Sequence, residues 1–406
     1  MPSELQKTEN LLKTKRYGLF WLSSLLSNIG TWMQQIAQPW VMLTISHSSF
    51  LVGLDSFAMN APGWILSLWG GALADRLDRK KIVLLFQGIQ FLAIVALVVL
   101  LAMGLLKPWS LIFISLLVGI TDSLSMPSFQ TIVPSLVKEE EIPKAVSLNS
   151  IQFNLSRTLG PALAGIVMTA FGAIACFGAN AISFIPFFLS VFWIYPKKGF
   201  LSPQLEEGTP KTSILSTVKE AFKRDSVRSQ LITTFVTTLF CSPLFIFSTV
   251  LIQDVFSGQV KDFGNTSTAF GLGGLVGAIC TFFIATKFKQ KSPGIFGLIH
   301  GLVIIAVAWN RSLSVLLCLM FSAGLLLTIA NTSANSNMQL KAGNKARGQY
   351  TSLYQLSFRG GMALGALLTG LMTSHFGVVI AFYTNGALAV FIHLILLLKR
   401  SPHEKH

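Results

Sequence analysis

Long apolar runs separated by short polar breaks organise the chain. Runs at about 19–45, 50–72, 82–104, 109–128, 145–170 and 174–194 are followed by a polar stretch, then by runs at about 230–252, 269–286, 295–309, 313–338, 350–372 and 378–398. Each is close to the roughly 20 residues that a helix needs to cross a bilayer, and the apolarity is continuous, unlike the alternating pieces of about 10 residues in a membrane barrel. The pattern predicts an all-α polytopic membrane protein with twelve transmembrane helices. The one long polar stretch, 196–228, carries Pro203, Glu206, Glu207, Pro210 and several lysines. It divides the chain into an N-terminal six-helix half (1–195), a cytoplasmic linker (196–228) and a C-terminal six-helix half (229–406).

The halves read as divergent copies. Helix five carries Asn154-Leu155-Ser156-Arg157 followed by Gly160, Pro161, Ala164 and Gly165; helix eleven carries Leu356-Ser357-Phe358-Arg359 followed by Gly360, Gly361, Gly365 and Gly370. The two arginines are separated by about one half of the chain. Pseudo-symmetric halves of this kind meet around a cavity near the bilayer midplane in secondary transporters.

Composition agrees with the pattern: 52% hydrophobic residues, 12% charged and a mean hydropathy of +0.64 are too apolar for a soluble chain of 406 residues. A net charge of +15 raises the question of nucleic acid. With the N-terminus in the cytoplasm, however, Lys107, Lys261 and Arg311 alone of the 31 Lys and Arg fall outside, and Arg157 and Arg359 alone fall inside the spans. The positive-inside rule accounts for the excess, so no nucleic-acid partner is required, and both termini are expected in the cytoplasm. The first apolar run is too long for a signal peptide and lacks a small-residue cleavage site. Cys176, Cys241, Cys280 and Cys318 are scattered in apolar settings and read as packing residues. No clustered His, Asp or Glu suggests a metal site or an enzyme, and no Walker string suggests ATP; no cofactor is expected.

Ionisable groups inside a membrane span are costly and mark function by default. Arg157 and Arg359 are the intramembrane cations, and Asp55 and Asp122 the clearest acids. Asp122 on helix four is expected beside Arg157 on helix five, either as a proton-coupling pair or as a permanent ion pair holding two helices together. Asp55 is expected nearer the outer rim, as a further coupling candidate. Asn28, Thr31, Trp32, Gln35 and Gln38 step by three or four along helix one, so they share a face that must meet protein or a water-filled cavity. Asn331 and Asn335 repeat the pattern on helix ten and are placed, with Met126 and Arg359, on the walls of a substrate cavity. Gly160, Pro161 and Gly165 read as a hinge in helix five, either a pivot or a passive kink.

The string Gly70-Gly71-Ala72-Leu73-Ala74-Asp75-Arg76-Leu77-Asp78-Arg79-Lys80-Lys81 closely resembles the loop between helices two and three of the major facilitator superfamily, with Asp78 where Gly is common. Ser27-Asn28-Ile29-Gly30-Thr31-Trp32, Val133-Pro134-Ser135-Leu136, Leu148-Asn149-Ser150, Arg157-x-x-Gly160-Pro161 and Arg347-Gly348 follow in order. Together they resemble the branch that holds enterobactin-type siderophore exporters and macrolide efflux pumps. Phe129 and Gln349 replace arginines common there, so the branch's charge preference does not carry over. The resemblance implies a secondary active transporter of the bacterial inner membrane, monomeric, exporting a small siderophore- or drug-like molecule by proton antiport and alternating access. It also implies a conformational latch at Gly71, Asp75, Arg76 and Arg79 with Arg347. An importer or a carrier of a lipid-like substrate is the alternative; a membrane-embedded enzyme is disfavoured.

Overall fold

In the computed structural model the described residues are 9–64, 66, 69, 73, 77–193, 222–284, 292–341 and 347–398. Among the described residues a helix stands at each of the twelve expected places. We number them α1 (Lys15–Ser46), α2 (Ser49–Asn60), α3 (Arg79–Ala102), α4 (Pro108–Ser135), α5 (Ile142–Phe171) and α6 (Ala173–Trp193) in the first half. The second half holds α7 (Asp225–Phe240, continued as Pro243–Asp254), α8 (Val260–Ile284), α9 (Ser292–Trp309), α10 (Leu313–Lys341), α11 (Arg347–Phe376) and α12 (Val378–Leu398). Most of the linker expected over 196–228 lies outside the described residues, and α7 begins within its last part. Gly71, Asp75 and Arg76 also lie outside them.

Local chemistry sets the joints. Asp78 caps α3, its carboxylate accepting from the backbone N–H of Lys80 (2.9 Å) and Lys81 (3.3 Å). This is what an aspartate achieves where the family string often has glycine. Pro108 opens α4 in the first helical turn, where its missing N–H costs nothing. Gly172 (φ 78°) and Gly377 (φ 83°) turn the chain between α5 and α6 and between α11 and α12, corresponding places in the two halves. Pro243 interrupts the apolar run of α7 after a turn at Cys241 and Ser242.

The outer surface is apolar, with Leu85, Phe113, Ile182 and Phe391 among its exposed side chains. Seven described helical segments are each long and apolar enough to cross a membrane. α1, α2, α5, α8 and α11 are not among them; apart from the short α2, these helices carry polar residues along the faces between the halves. The protein is a multi-pass membrane protein, and those inward faces explain the lower apolarity.

The halves are joined unevenly. We call the side where α1 begins the near side and the other the far side. One buried cluster on the far side takes residues from both halves, such as Met42, Met168, Phe247, Phe263 and Phe382. On the near side the halves have separate clusters, one around Tyr17, Phe20 and Phe187 and the other around Leu231, Met338 and Tyr354. Small residues let the halves approach on the far side. A Cβ on Gly165 of α5 would strike the Gly264 carbonyl of α8, and one on Gly53 of α2 would strike the Ala366 carbonyl of α11.

Gly165→Val is therefore expected to cost about 3 kcal/mol through overpacking against backbone. Gly178→Val on α6, where an added Cβ meets nothing within 4 Å, is expected to cost almost nothing. Thermal unfolding of the two purified variants in detergent checks this difference. Equal midpoints would mean that the α5–α8 contact is slack.

Candidate functional site

Between the halves lies a cavity in two connected lobes, one of about 130 Å³ and one of about 150 Å³. Trp32, Gln35, Met59, Asn60, Phe358 and Met362 line both. Both halves contribute walls, as the paired arginine strings lead one to expect.

The first lobe is built from α1 outward. Gln38 is buried, and its amide donates to Asp55 Oδ2 of α2 and to Ser115 Oγ of α4, both at 2.6 Å. The Ser115 hydroxyl donates to Asp55 Oδ1 at 2.5 Å. One turn back, the Gln34 amide donates to Gln38 Oε1 (3.2 Å), and Asn180 of α6 donates to Gln34 Oε1 (2.7 Å). A chain of amides thus runs from α6 through α1 to a carboxylate shared by α2 and α4. Asp55 is only 3% exposed, which corrects its expected place at a solvated rim. It sits in the cavity wall because Ser49–Asn60 packs against α11 and α4, turning this face of α2 inward. No cation pairs with it among the described residues. A buried carboxylate held only by an amide and a hydroxyl is costly, and its charge is compensated by neutral dipoles alone.

Arg157 reaches the same lobe from α5. Its guanidinium lies 5.9 Å from the Phe358 ring centroid and interacts with the Tyr354 hydroxyl, both on α11. The Tyr354 hydroxyl in turn donates to the Asn331 carbonyl at 3.1 Å. Among the described residues no carboxylate pairs with Arg157.

Asp122 takes a different partner from the one expected. Its carboxylate receives Arg359 Nη1 of the opposite half at 2.7 Å, with the side chains 38% and 25% exposed in the second lobe. The reason is geometric. Gly160 packs its backbone on Trp32 of α1 and Gly165 on α8, so the Arg157 face of α5 looks across to α11 and away from α4. Gly63, just past the end of α2, meanwhile leaves room for the Arg359 stem. Each of the two paired arginines therefore reaches into the other half. Breaking the pair by Asp122→Asn or Arg359→Gln is expected to loosen the cavity by about 1–3 kcal/mol, and the double variant by no more than either single one. Maleimide labelling of a cysteine at Gln355, read in all three, checks this; additive increases would show that the two groups act separately.

Other expected residues fall as follows. Asn28, Thr31, Trp32, Gln35 and Met126 line the cavity, as does Asn331. Asn335 lies outside both lobes, one turn further along α10. Gly160 and Gly165 are points of close helix contact in a continuous α5, and Pro161 lines the first lobe. Arg79 stands in the first turn of α3, capped by Asp78, and Arg347 begins α11. Gln34, Asn60, Gln87, Gln90 and Ser115 were missed. Gln87 and Gln90 carried the same signal as the α1 stripe, polar side chains at helical spacing in an apolar run.

A largely apolar cavity with polar and charged side chains set into its walls, enclosed by two six-helix halves of related design, defines a membrane transporter of the major facilitator fold. The nucleoside transporter NupG and a D-xylose-proton symporter share this fold. The first has a TM-score of 0.71 at 11% identity, covering 96% of this chain and 100% of that one. The second has a TM-score of 0.74 at 12% identity, covering 96% and 98%. The chain belongs to the transmembrane secretion effector family of that superfamily, whose model matches residues 10–406. It is 28% identical to a staphyloferrin A transporter of Staphylococcus aureus, over 93% of this chain and 94% of the relative. It is 23% identical to the enterobactin exporter EntS of Salmonella choleraesuis, over 96% and 93%.

Proposed function

We propose that the protein is a secondary active exporter of the bacterial inner membrane that moves a small, carboxylate-bearing amphipathic molecule of the siderophore kind outward in exchange for protons. The observation that carries this reading is a pair of ionisable groups in one cavity wall, Asp55 without a cation and Arg157 without a carboxylate among the described residues. Charges held inside a span without counter-ions are there to meet mobile partners. Arg157 takes the carboxylate of the cargo in a charge-assisted pair on the outward step, and Asp55 carries the proton on the return step, so that one is held only when the other has left. The named relatives support a siderophore as cargo. The helix-five string, which resembles that of antiporters, supports export.

Both termini lie in the cytoplasm in this reading, so the far side is outside and the halves are closed there. Alternating access follows from rocking the halves about α5–α8 and α2–α11, with Gly160, Pro161 and Gly165 at the pivot. Asp122–Arg359 and the near-side latch, Gly71, Asp75, Arg76 and Arg79 with Arg347, close the other side.

Deletion of the gene tests the function. Under iron limitation the medium of the deletion strain is expected to lose a carboxylate-rich iron chelator, which accumulates in the cells and returns to the medium when the gene is restored. An unchanged medium accompanied by altered antibiotic tolerance would overturn the siderophore assignment in favour of drug efflux.

A further inference from the structure

A second space lies outside the central cavity. On the membrane-facing side, α3 and α6 part to leave an apolar groove of about 480 Å³, lined by residues such as Leu85, Leu92, Ile185 and Phe188. The groove has open space beside Gly88, where an added Cβ would meet nothing closer than Phe188 at 3.9 Å. Gly88 is nine residues into α3, so the groove centres about 14 Å from the near end of that helix, within the near-side leaflet. Below it, the Lys80 ammonium donates to the Phe192 carbonyl at 2.7 Å and lies 5.7 Å from the ring of the same residue. This clasp joins the two helix ends at the membrane edge and leaves the groove facing the bilayer.

Two side chains, Gln87 and Phe184, line both this groove and the second lobe of the cavity. The wall between lipid and cavity is therefore one amide and one ring at this point. Immediately behind it, Gln90 lines the cavity with its side chain buried and its Nε2 without a partner. A buried amide N–H left unpaired costs free energy that an incoming acceptor restores. Apolar surface outside, polar donors inside and a two-residue partition between them match a molecule with an apolar chain and an oxygen-bearing head.

We propose that the gap between α3 and α6 is a lateral portal, through which an amphipathic carboxylate with an aliphatic chain passes from the near-side leaflet into the cavity, Gln87 and Phe184 forming the gate. Its head meets Gln87 and Gln90 first while its chain still occupies the groove. This deepens the transport reading and rests on it for the carboxylate that Arg157 receives.

The test uses the full chain in nanodiscs and three photoreactive probes carrying a diazirine: dodecanoate, pentanoate and a phosphatidylglycerol labelled in its acyl chain. Cross-links are mapped by mass spectrometry. Dodecanoate is expected to label both groove and cavity wall. Gly88→Trp, which places an indole in the groove, is expected to cut dodecanoate labelling of the cavity by about tenfold, the equivalent of about 1.4 kcal/mol of lost occupancy. Pentanoate labelling is expected to be unchanged by Gly88→Trp, and Gly88→Ala to leave both probes unaffected. Dodecanoate labelling of the cavity that survives Gly88→Trp would overturn the portal. So would a groove labelled by phosphatidylglycerol alone, which would make it the seat of a resident lipid. Cavity labelling by dodecanoate without pentanoate would keep the portal and remove the carboxylate role of Arg157.

Discussion

Asp55→Asn is expected to abolish transport driven by a proton gradient while the protein inserts, folds and binds cargo. The substitution keeps the shape of the side chain and at least part of the contact with Gln38 and Ser115, and it removes the one group in that network that exchanges a proton. A carrier that has lost its coupling group still equilibrates cargo down its own gradient. Gradient-driven accumulation in proteoliposomes should therefore fall by on the order of 100-fold, with exchange of labelled for unlabelled cargo retained, as expected when an intramembrane carboxyl is the coupling site. Undiminished gradient-driven accumulation in the variant would remove Asp55 from the mechanism and leave it a structural tie among α1, α2 and α4.

Arg157→Ala is expected to have the second largest effect, on affinity. Losing one member of a buried charge pair costs about 2–5 kcal/mol, so cargo binding should weaken by at least about 30-fold. Arg157→Lys keeps the charge and loses the planar fork that holds a carboxylate at two points, and should fall between wild type and Ala. Titration of the purified protein with cargo, followed by its tryptophan fluorescence, separates the three. Trp32 lies in the same cavity. If Arg157→Ala bound cargo as well as the native chain, the guanidinium would serve only to hold Tyr354 and Phe358.

The helices were legible in the sequence because a bilayer demands a continuous apolar run, and that demand is written residue by residue. The last helix, expected at 378–398, is α12 over Val378–Leu398. The ends of α1, α4 and α5 extend past their apolar runs, since a helix continues into water where polar residues satisfy it. The turn at Ala61 and the break before Pro243 were marked by proline, but the surrounding apolarity masked them. The site was legible as faces and not as contacts. Period-3.6 spacing finds the α1 stripe, and Gln34 sits one turn before its last member, Gln38; its other partner, Asn180, reaches it only when α6 packs on α1, which no local spacing records. Asp122 was matched to the arginine nearer in sequence, whereas the partner observed is 237 residues away, across the interface of the halves. Pairing of that kind depends on how two halves dock, which no local pattern records. Asp55 was misplaced for the related reason that depth along a helix says nothing about which neighbours cover it.

Cargo and proton are expected to exchange in one cavity. Proton release measured on adding cargo purified from iron-limited medium to the protein, in weakly buffered detergent solution, tests it most directly. Release of about one proton per protein molecule is expected as cargo binds in place of the proton, the linkage that antiport requires, and none from Asp55→Asn at equal cargo occupancy. Equal release from Asp55→Asn and wild type, or binding with no release from either, would contradict it.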